Sequence, residues 1–127
     1  KNNNYIKCPS GGPLVQHSLV AMLDLYHDGL ISLEKIVEKM CHNPAKLFRI
    51  KKRGFIKEGY YADLTILDLN KSWTVSKENI LYKCGWSPFE GTTFKSRITH
   101  TILNGALVYH NAKFTNQNSA MRLTFNR

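Results

Sequence analysis

Five histidines and three cysteines are the side chains best suited to metal binding or nucleophilic chemistry in this chain of 127 residues. A metal site on one strand or helix face needs a spacing such as His-x-His or His-x-x-x-His. Neither spacing occurs, and no Gly-x-Ser-x-Gly elbow, Walker loop or dinucleotide fingerprint is present. No pattern in the sequence therefore identifies a catalytic residue or a metal ligand, and a metal site would have to be assembled by tertiary folding. Satisfied or solvent-facing side chains are expected at all five histidines: His17, His27, His42, His100 and His110.

The cysteines are Cys8, Cys41 and Cys84. Their number is odd, and their wide separation gives neither a disulfide framework nor the close pairs of a zinc knuckle. We interpret them as small core residues of a protein from a reducing cytoplasm.

The segment from Cys8 to Pro13, CPSGGP, is the one candidate for ligand contact. A glycine-rich turn before a helix leaves backbone N–H groups unhindered and directed at an anion such as a carboxylate. An ordinary loop explains the same residues equally well, so the pattern alone leaves both interpretations open.

The net charge of +9 raises the alternative of a polyanion-binding module. Five cations lie within one basic segment: Lys46, Arg49, Lys51, Lys52 and Arg53. Elsewhere the charge is spread along the chain, which favours a solvated basic turn. No stretch approaches the roughly 20 continuous apolar residues of a membrane helix, and no signal peptide is recognised, so a soluble protein is expected. The start at Lys1, without a methionine, is interpreted as a cut.

Three helices are predicted before residue 49, with no strand between them. The first spans 14–27, because Pro13 suits a helix's first turn and Asp28-Gly29 can end it. Ser32 is placed to cap the second, and Asn43-Pro44 begins a third that runs to Phe48. Helical spacing predicts the buried stripe of the first helix: Val15, Leu19, Met22, Leu23 and Tyr26.

After Arg53, glycines separate short runs rich in β-branched and aromatic residues, which predicts strands over 64–69, 73–75, 98–103 and 106–111, and an edge strand near 121–125. Asn104-Gly105 favours a type I′ hairpin. The expected register pairs Ile102 with Leu107, His100 with Tyr109 and Thr101 with Val108. Trp86 is predicted to pack into the core.

Five segments, in this order, resemble the C-terminal third of a dihydroorotase of the amidohydrolase superfamily. They are PSGGPLVQHSL (9–19), NPAKLF (43–48), GFIKEGYYADLTILD (54–68), GWSPFEG (85–91) and TILNGALVYHNAKF (101–114). The PSGGPLVQH and W-x-P-F-E-G segments narrow the resemblance to dihydroorotase-like members, whereas the others are shared widely. Allantoinases and hydantoinases are close relatives that share much of this region.

The resemblance implies an α/β parent, a metal-dependent hydrolase with a (β/α)8 TIM barrel. Residues 1–53 would be its last barrel helices with a substrate-side loop. Residues 54–127 would form part of a small composite β-sandwich domain, completed by strands from the parent's N-terminus. Zinc in the parent would be held by an H-x-H pair, an often carbamylated lysine, two further histidines and an aspartate, and it would activate water. These ligands would precede this chain, which contributes none of them.

The implied reaction is the reversible hydrolysis of dihydroorotate to N-carbamoyl-aspartate, in de novo pyrimidine synthesis. Only Pro9, Ser10 and Gly11 match family positions that touch substrate, and Ser10 departs from the commoner Pro-Phe-Gly version. The expected partners are this small molecule, the missing N-terminal part of the same enzyme and further copies of the chain, with no nucleic acid and no membrane. Alone, the fragment is expected to be inactive. The alternatives are an allantoinase- or hydantoinase-like parent, a non-catalytic dihydroorotase-like homologue, or the small basic polyanion-binding module.

Overall fold

The computed structural model describes residues 11–126, in which the α-helices precede the strands and a short 3-10 helix, Lys77–Asn79, lies between the second and third strands. Helix α1 spans Ser18–His27, one turn shorter at its start than predicted. Residues before it form a tighter turn, in which the N–H groups of His17 and Ser18 both donate to the Leu14 carbonyl, at 3.1 and 2.8 Å. The predicted stop is confirmed: Gly29 has a φ of 71°, and the Leu30 N–H caps the Leu25 carbonyl at 2.9 Å.

The second and third predicted helices are one continuous helical segment. It consists of α2 (Leu33–Val37), a π-helical turn (Glu38–His42) and α3 (Asn43–Leu47). The Ser32 cap is confirmed, since its hydroxyl accepts from the Lys35 N–H at 3.2 Å. The predicted helix start at Asn43-Pro44 is confirmed, since α3 begins at Asn43. The predicted capping role of Asn43 is wrong, because Asn43 has helical dihedrals and its N–H donates to the Glu38 carbonyl, so that α3 continues the π-helical turn. Pro44 lacks an N–H, and the wider turn before it gives its ring room within the helix.

Six strands form two antiparallel sheets. The larger, in the order β1-β4-β5-β6, contains β1 (Leu64–Asp68), β4 (Arg97–Leu103), β5 (Ala106–His110) and β6 (Lys113–Phe114). The smaller pairs β2 (Trp73–Thr74) with β3 (Thr93–Phe94). The predicted edge strand near 121–125 is wrong as a strand, because only Phe125 pairs, in an isolated bridge with Ile50.

The β4–β5 hairpin turns at Asn104-Gly105, whose φ values of 51° and 83° confirm the predicted type I′ turn. Ile102 pairs with Leu107 as predicted. Beyond that pair the register shifts, so that Thr101 faces Tyr109 and His100 faces His110. The predicted pairs of His100 with Tyr109 and Thr101 with Val108 are therefore wrong, because a bulge at Val108 inserts one residue into β5.

The main core lies between α1 and the two-stranded sheet, where Val20, Val75 and Phe94 are almost fully buried. Of the stripe predicted for α1, Leu23 is buried, but Val15 is 88% exposed because it precedes the helix. Trp86 is 41% exposed, so its predicted place in the core is wrong; Phe89, three residues on, packs there instead. Cys41 and Cys84 are also exposed, contrary to prediction.

None of the helices within 11–126 has the length and apolar character needed to cross a membrane.

Candidate functional site

Two segments far apart in sequence meet at the start of α1. One contains Gln16 and His17. The other is a loop at 79–90, which leaves the small sheet after β2 and returns to it at β3. The base of this loop is closed by Val75, whose N–H donates to Thr92 and whose carbonyl accepts from Gly91, both at 2.9 Å. The loop is therefore fixed at its base by the sheet and along its length by Gln16 and His17, which directly precede α1.

Gln16 makes three hydrogen bonds to the 79–90 loop. Its side-chain amide donates to the Asn79 carbonyl at 2.8 Å and accepts from the Leu81 N–H at 2.9 Å. Its backbone N–H donates to the Tyr82 hydroxyl at 2.8 Å. The Gln16 side chain thus satisfies one carbonyl and one N–H of the loop backbone, as a neighbouring strand would in a sheet.

His17 is fully buried and shares a hydrogen bond of 3.1 Å between its Nδ1 and the Ser87 hydroxyl. Ser87 is itself buried, and its oxygen also accepts the Phe89 N–H at 3.2 Å. His17 therefore holds the second half of the loop, as Gln16 holds the first.

The His17 imidazole lies in an aromatic cage, with four ring centroids 5.8 to 6.1 Å from its own. The rings of Trp73 and Phe94 stack on it, and those of Tyr82 and Phe89 meet it edge-on. Its Nε2 has no hydrogen-bond partner within 11–126. Burial lowers the pKa of His17, because an apolar cage solvates the imidazolium poorly. The ring is therefore neutral near pH 7.

The other end of α1 is attached to the strands by polar contacts. The His27 Nε2 lies 2.8 Å from the hydroxyl of the fully buried Ser96, whose carbonyl accepts the Trp73 indole N–H at 3.0 Å. Lys95 donates to Asp24 through its backbone, at 3.1 Å, and to Asp28 through its side chain, at 2.6 Å. Helix α1 is thus held against the strands at both ends.

An open groove of about 730 Å³ lies between the start of α1 and the larger sheet. Its walls are mainly apolar and aromatic, with Arg97 among the few charged residues. The Arg97 guanidinium lies 5.7 Å from the Trp73 ring, a cation–π contact. Large exposed apolar side chains occur beside the groove and elsewhere: Val15, Leu47, Phe48, Ile56 and Phe114.

Of the predicted substrate-binding residues, Pro9 and Ser10 lie outside the described residues. Gly11 is exposed, and a methyl group added to it would meet no atom within 4 Å. No contact within the described chain therefore accounts for a glycine at this position.

Metal binding finds no support in this part of the chain. Among residues 11–126, no three His, Cys, Asp or Glu side chains are grouped to hold an ion. His17 lies in its cage, and His42 stacks on Phe55 at 4.3 Å. The rings of His100 and His110 stack on each other at 4.4 Å, but no third donor is grouped with them.

Arg53 differs from the other cations of the basic segment. Its side chain is only 10% exposed, forms an ion pair with Asp63, donates to Asn104 and lies 4.3 Å above the Tyr61 ring. The other four cations of the segment are exposed. Arg53 is therefore a structural residue, which weakens the polyanion-binding alternative.

The sequence placed Gln16 off the buried stripe of α1 and gave no role to Ser87 or Tyr82. Their partners lie 63 to 70 residues away in the chain, so no local pattern reveals them. The one signal in the sequence was the family resemblance, because its two most specific motifs, PSGGPLVQH and W-x-P-F-E-G, lie in the two segments that meet here.

Comparison with known proteins gives one family and several relatives. Residues 8–108 match the model of the Amidohydrolase family. The chain is 41% identical over 99 residues to a dihydroorotase from Pyrococcus furiosus, covering 78% of the chain and 24% of that protein. It is 33% identical over 118 residues to an allantoinase from Desulfitobacterium hafniense, covering 92% of the chain and 26% of the relative.

Among solved structures, an L-hydantoinase (dihydropyrimidinase) from Arthrobacter aurescens superposes with a TM-score of 0.75 at 34% identity. The match covers 83% of this chain and 24% of that one. The chain thus spans about a quarter of the length of the proteins it resembles.

Proposed function

The chain belongs to the amidohydrolase family, and we propose that it is the C-terminal region of a dihydroorotase. In this proposal it supplies a substrate-side turn at Pro9, Ser10 and Gly11 and supports an active site whose zinc ligands lie elsewhere in the polypeptide. Residues 1–53 would belong to a catalytic (β/α)8 barrel, and 54–127 to a small β-sandwich domain. The substrate would be dihydroorotate or, in the reverse direction, N-carbamoyl-aspartate.

The observation that carries the proposal is the contact between the two segments that resemble dihydroorotases most specifically. PSGGPLVQH and GWSPFEG meet through His17 and Ser87, although these residues are 70 positions apart. The segment between them, 79–82, is bound by Gln16. The identity of 41% to a dihydroorotase supports the same assignment.

The described residues do not fit a metal centre, so the proposed contribution of this chain is to bind and position the substrate. A backbone N–H in the turn at 9–11 would donate a hydrogen bond to the substrate carboxylate, and Gly11 leaves room for that approach. The apolar groove and the exposed apolar side chains support further packing against the remainder of a longer enzyme.

The test uses the protein encoded by the complete reading frame that contains this sequence, called the parent protein below. We expect it to open the ring of dihydroorotate faster than that of allantoin or hydantoin. Preferential turnover of either of the latter would assign the other cyclic amidohydrolase activity. A parent without an H-x-H pair and a strand-end aspartate upstream would instead be a non-catalytic homologue.

The 127-residue chain alone, assayed with added zinc, is expected to give no ring opening above background. Turnover by the isolated chain would overturn the proposal that its role is limited to binding and support.

A further inference from the structure

We propose that Asn104-Gly105 is a deamidation site, which the fold keeps intact through hydrogen bonds to three other segments of the chain. An asparagine followed by glycine is chemically labile, because glycine has no side chain to hinder attack by its own backbone nitrogen. This modification is independent of the proposed function, since it concerns the turn of the β4–β5 hairpin alone.

Deamidation at this turn is a cyclisation followed by a hydrolysis. The Gly105 backbone nitrogen loses its proton and forms a bond to the side-chain carbonyl carbon of Asn104. The bond from that carbon to the amide nitrogen breaks, and the nitrogen takes up a proton and leaves as ammonia. Water then opens the succinimide ring, which leaves aspartate or isoaspartate at position 104. Isoaspartate lengthens the backbone by one carbon, so it would distort a two-residue turn.

Burial does not protect these two residues. Gly105 is exposed and Asn104 is half-buried, so water and hydroxide reach the turn. Protection must therefore come from the bonds that hold the two reacting groups, the Gly105 nitrogen and the Asn104 side-chain amide.

The attacking nitrogen is held by the residues that precede β1. The Gly105 N–H donates to the Ala62 carbonyl at 3.0 Å, and the Asn104 N–H donates to the adjacent Asp63 carboxylate at 2.8 Å. Loss of the Gly105 proton would break the first bond and leave a nitrogen anion facing a carbonyl oxygen. The fold therefore opposes formation of the nucleophile.

The Asn104 amide is held at both of its polar atoms. Its oxygen accepts from the Arg53 guanidinium, and its nitrogen donates to the Ser119 carbonyl. Arg53 is itself fixed by its ion pair with Asp63, and only 10% of its side chain is exposed. The amide therefore cannot turn its carbonyl carbon toward the Gly105 nitrogen without losing a bond.

Arg53 has a second, opposite effect on the amide. A cation at the amide oxygen polarises the carbonyl, which favours attack on its carbon. Polarisation accelerates the reaction only once the nitrogen reaches that carbon, and the bonds to Arg53 and Ser119 prevent this approach. Restraint therefore outweighs activation, and loss of Arg53 should speed deamidation.

The test follows deamidation of Asn104 in the parent protein, by mass spectrometry of the peptide that contains it, during incubation in mildly alkaline buffer. We expect the folded protein to react at least about ten-fold more slowly than the same protein unfolded in urea, because the turn has to open first. Arg53→Lys should accelerate the reaction of the folded protein about three-fold or more, because one ammonium cannot hold Asp63 and Asn104 together.

Two control variants separate loss of the Arg53 contacts from other effects. Lys51→Ala removes an exposed cation of the same segment and should keep the wild-type rate. Leu23→Ala destabilises the fold from a buried position in α1, and its rate should stay within about two-fold of the wild type. In urea all four proteins should react at one rate, since residue 53 is 51 positions from Asn104.

Equal rates in the folded and unfolded wild type would overturn the protection, whether or not Arg53→Lys folds. A folded Arg53→Lys protein that reacts no faster than the wild type would show that Arg53 does not restrain the amide. An equal acceleration in Leu23→Ala would assign the effect to general unfolding and would also overturn the role of Arg53.

Discussion

The Arg53 guanidinium forms an ion pair with the Asp63 carboxylate, and this pair joins the end of the basic segment to the residue that precedes β1. The second terminal nitrogen of Arg53 donates to the side-chain oxygen of Asn104, in the turn of the β4–β5 hairpin. The backbone N–H of Asn104 in turn donates to Asp63 at 2.8 Å. Three residues that are 10 to 51 positions apart thus form one closed network. Its side chains are largely shielded from water, with 10% of Arg53 and 27% of Asp63 exposed.

Replacing Arg53 by lysine should therefore destabilise the parent protein by about 1–3 kcal/mol, because a single ammonium cannot reproduce two hydrogen bonds from a planar fork. The measurement is urea-induced unfolding, together with exchange of the Asn104 amide. Lys51→Ala, an exposed cation two residues away, is the control and should change stability by less than about 0.5 kcal/mol. Equal effects of the two substitutions would contradict a structural role for Arg53.

Gly54 is required by the close approach of the helical segment. Its φ is +78°, and a methyl group there would overlap the Ala45 side chain and lie 2.8 Å from the Cys41 carbonyl oxygen. Gly54→Ala should destabilise the protein by about 2–4 kcal/mol, the sum of backbone strain and overpacking against backbone atoms.

Gly59→Ala is the matched control, because Gly59 has a similar φ of +76° but no neighbour within 4 Å of an added methyl group. Backbone strain alone predicts a loss of about 1 kcal/mol there. The difference between the two melting temperatures measures the helix contact, and its absence would show that Gly54 is needed only for its dihedral angle.

The sequence predicted the features that depend on a few neighbouring residues. Gly29 ends α1, Ser32 caps α2, and Asn104-Gly105 forms the type I′ turn, each because the local backbone demands that residue type. The Val108 bulge was not predicted, since residues 106–109 are consecutive apolar or aromatic residues and show no alternation that an extra residue would interrupt. Asn43 was mistaken for a helix cap, because the π-helical turn that joins α2 to α3 has no separate sequence signal.

The candidate site was harder to predict, because tertiary contacts define it. Gln16 has the polarity of a surface residue, and its three partners lie in a loop more than 60 residues away. Trp86 and Phe89 are both aromatic residues of one motif, yet the backbone directs only Phe89 into the core. Sequence alone cannot show which side chains of such an irregular loop face the core, because the loop has no helical or strand periodicity.

The buried His17 makes stability depend on pH. Burial lowers its pKa in the folded state, so between that pKa and the ordinary value near 6.5 the unfolded state binds more protons. The contribution of His17 to the free energy of unfolding is therefore largest above pH 6.5 and falls as the pH drops below it, with a slope of at most about 1.4 kcal/mol per pH unit for one proton.

His17→Phe removes this proton while keeping an aromatic ring in the cage, so the fall in stability between pH 7.5 and 5.5 should be smaller in the variant. Urea unfolding at both pH values gives the comparison. An identical pH dependence in wild type and His17→Phe would show that His17 does not carry it.

Gly11 and Gly12 offer a direct test of the proposed substrate-side turn, because the fold treats them alike. A methyl group on Gly11 would meet nothing within 4 Å, and one on Gly12 would make only an ordinary contact, 3.8 Å from Leu14. Neither substitution by alanine should therefore lower stability by more than about 1 kcal/mol.

Only Gly11 belongs to the three residues proposed to approach the substrate carboxylate. Gly11→Ala should raise the KM for dihydroorotate about ten-fold or more. The backbone N–H is kept, but the added methyl group would obstruct the approach of the carboxylate, and a hydrogen bond to a charged group contributes about 1.5–3 kcal/mol. Gly12→Ala should raise it by less than about three-fold, as expected for a neighbour that makes no such bond. Steady-state kinetics of the two variants of the parent protein make the measurement, and equal KM values would place the carboxylate away from this turn.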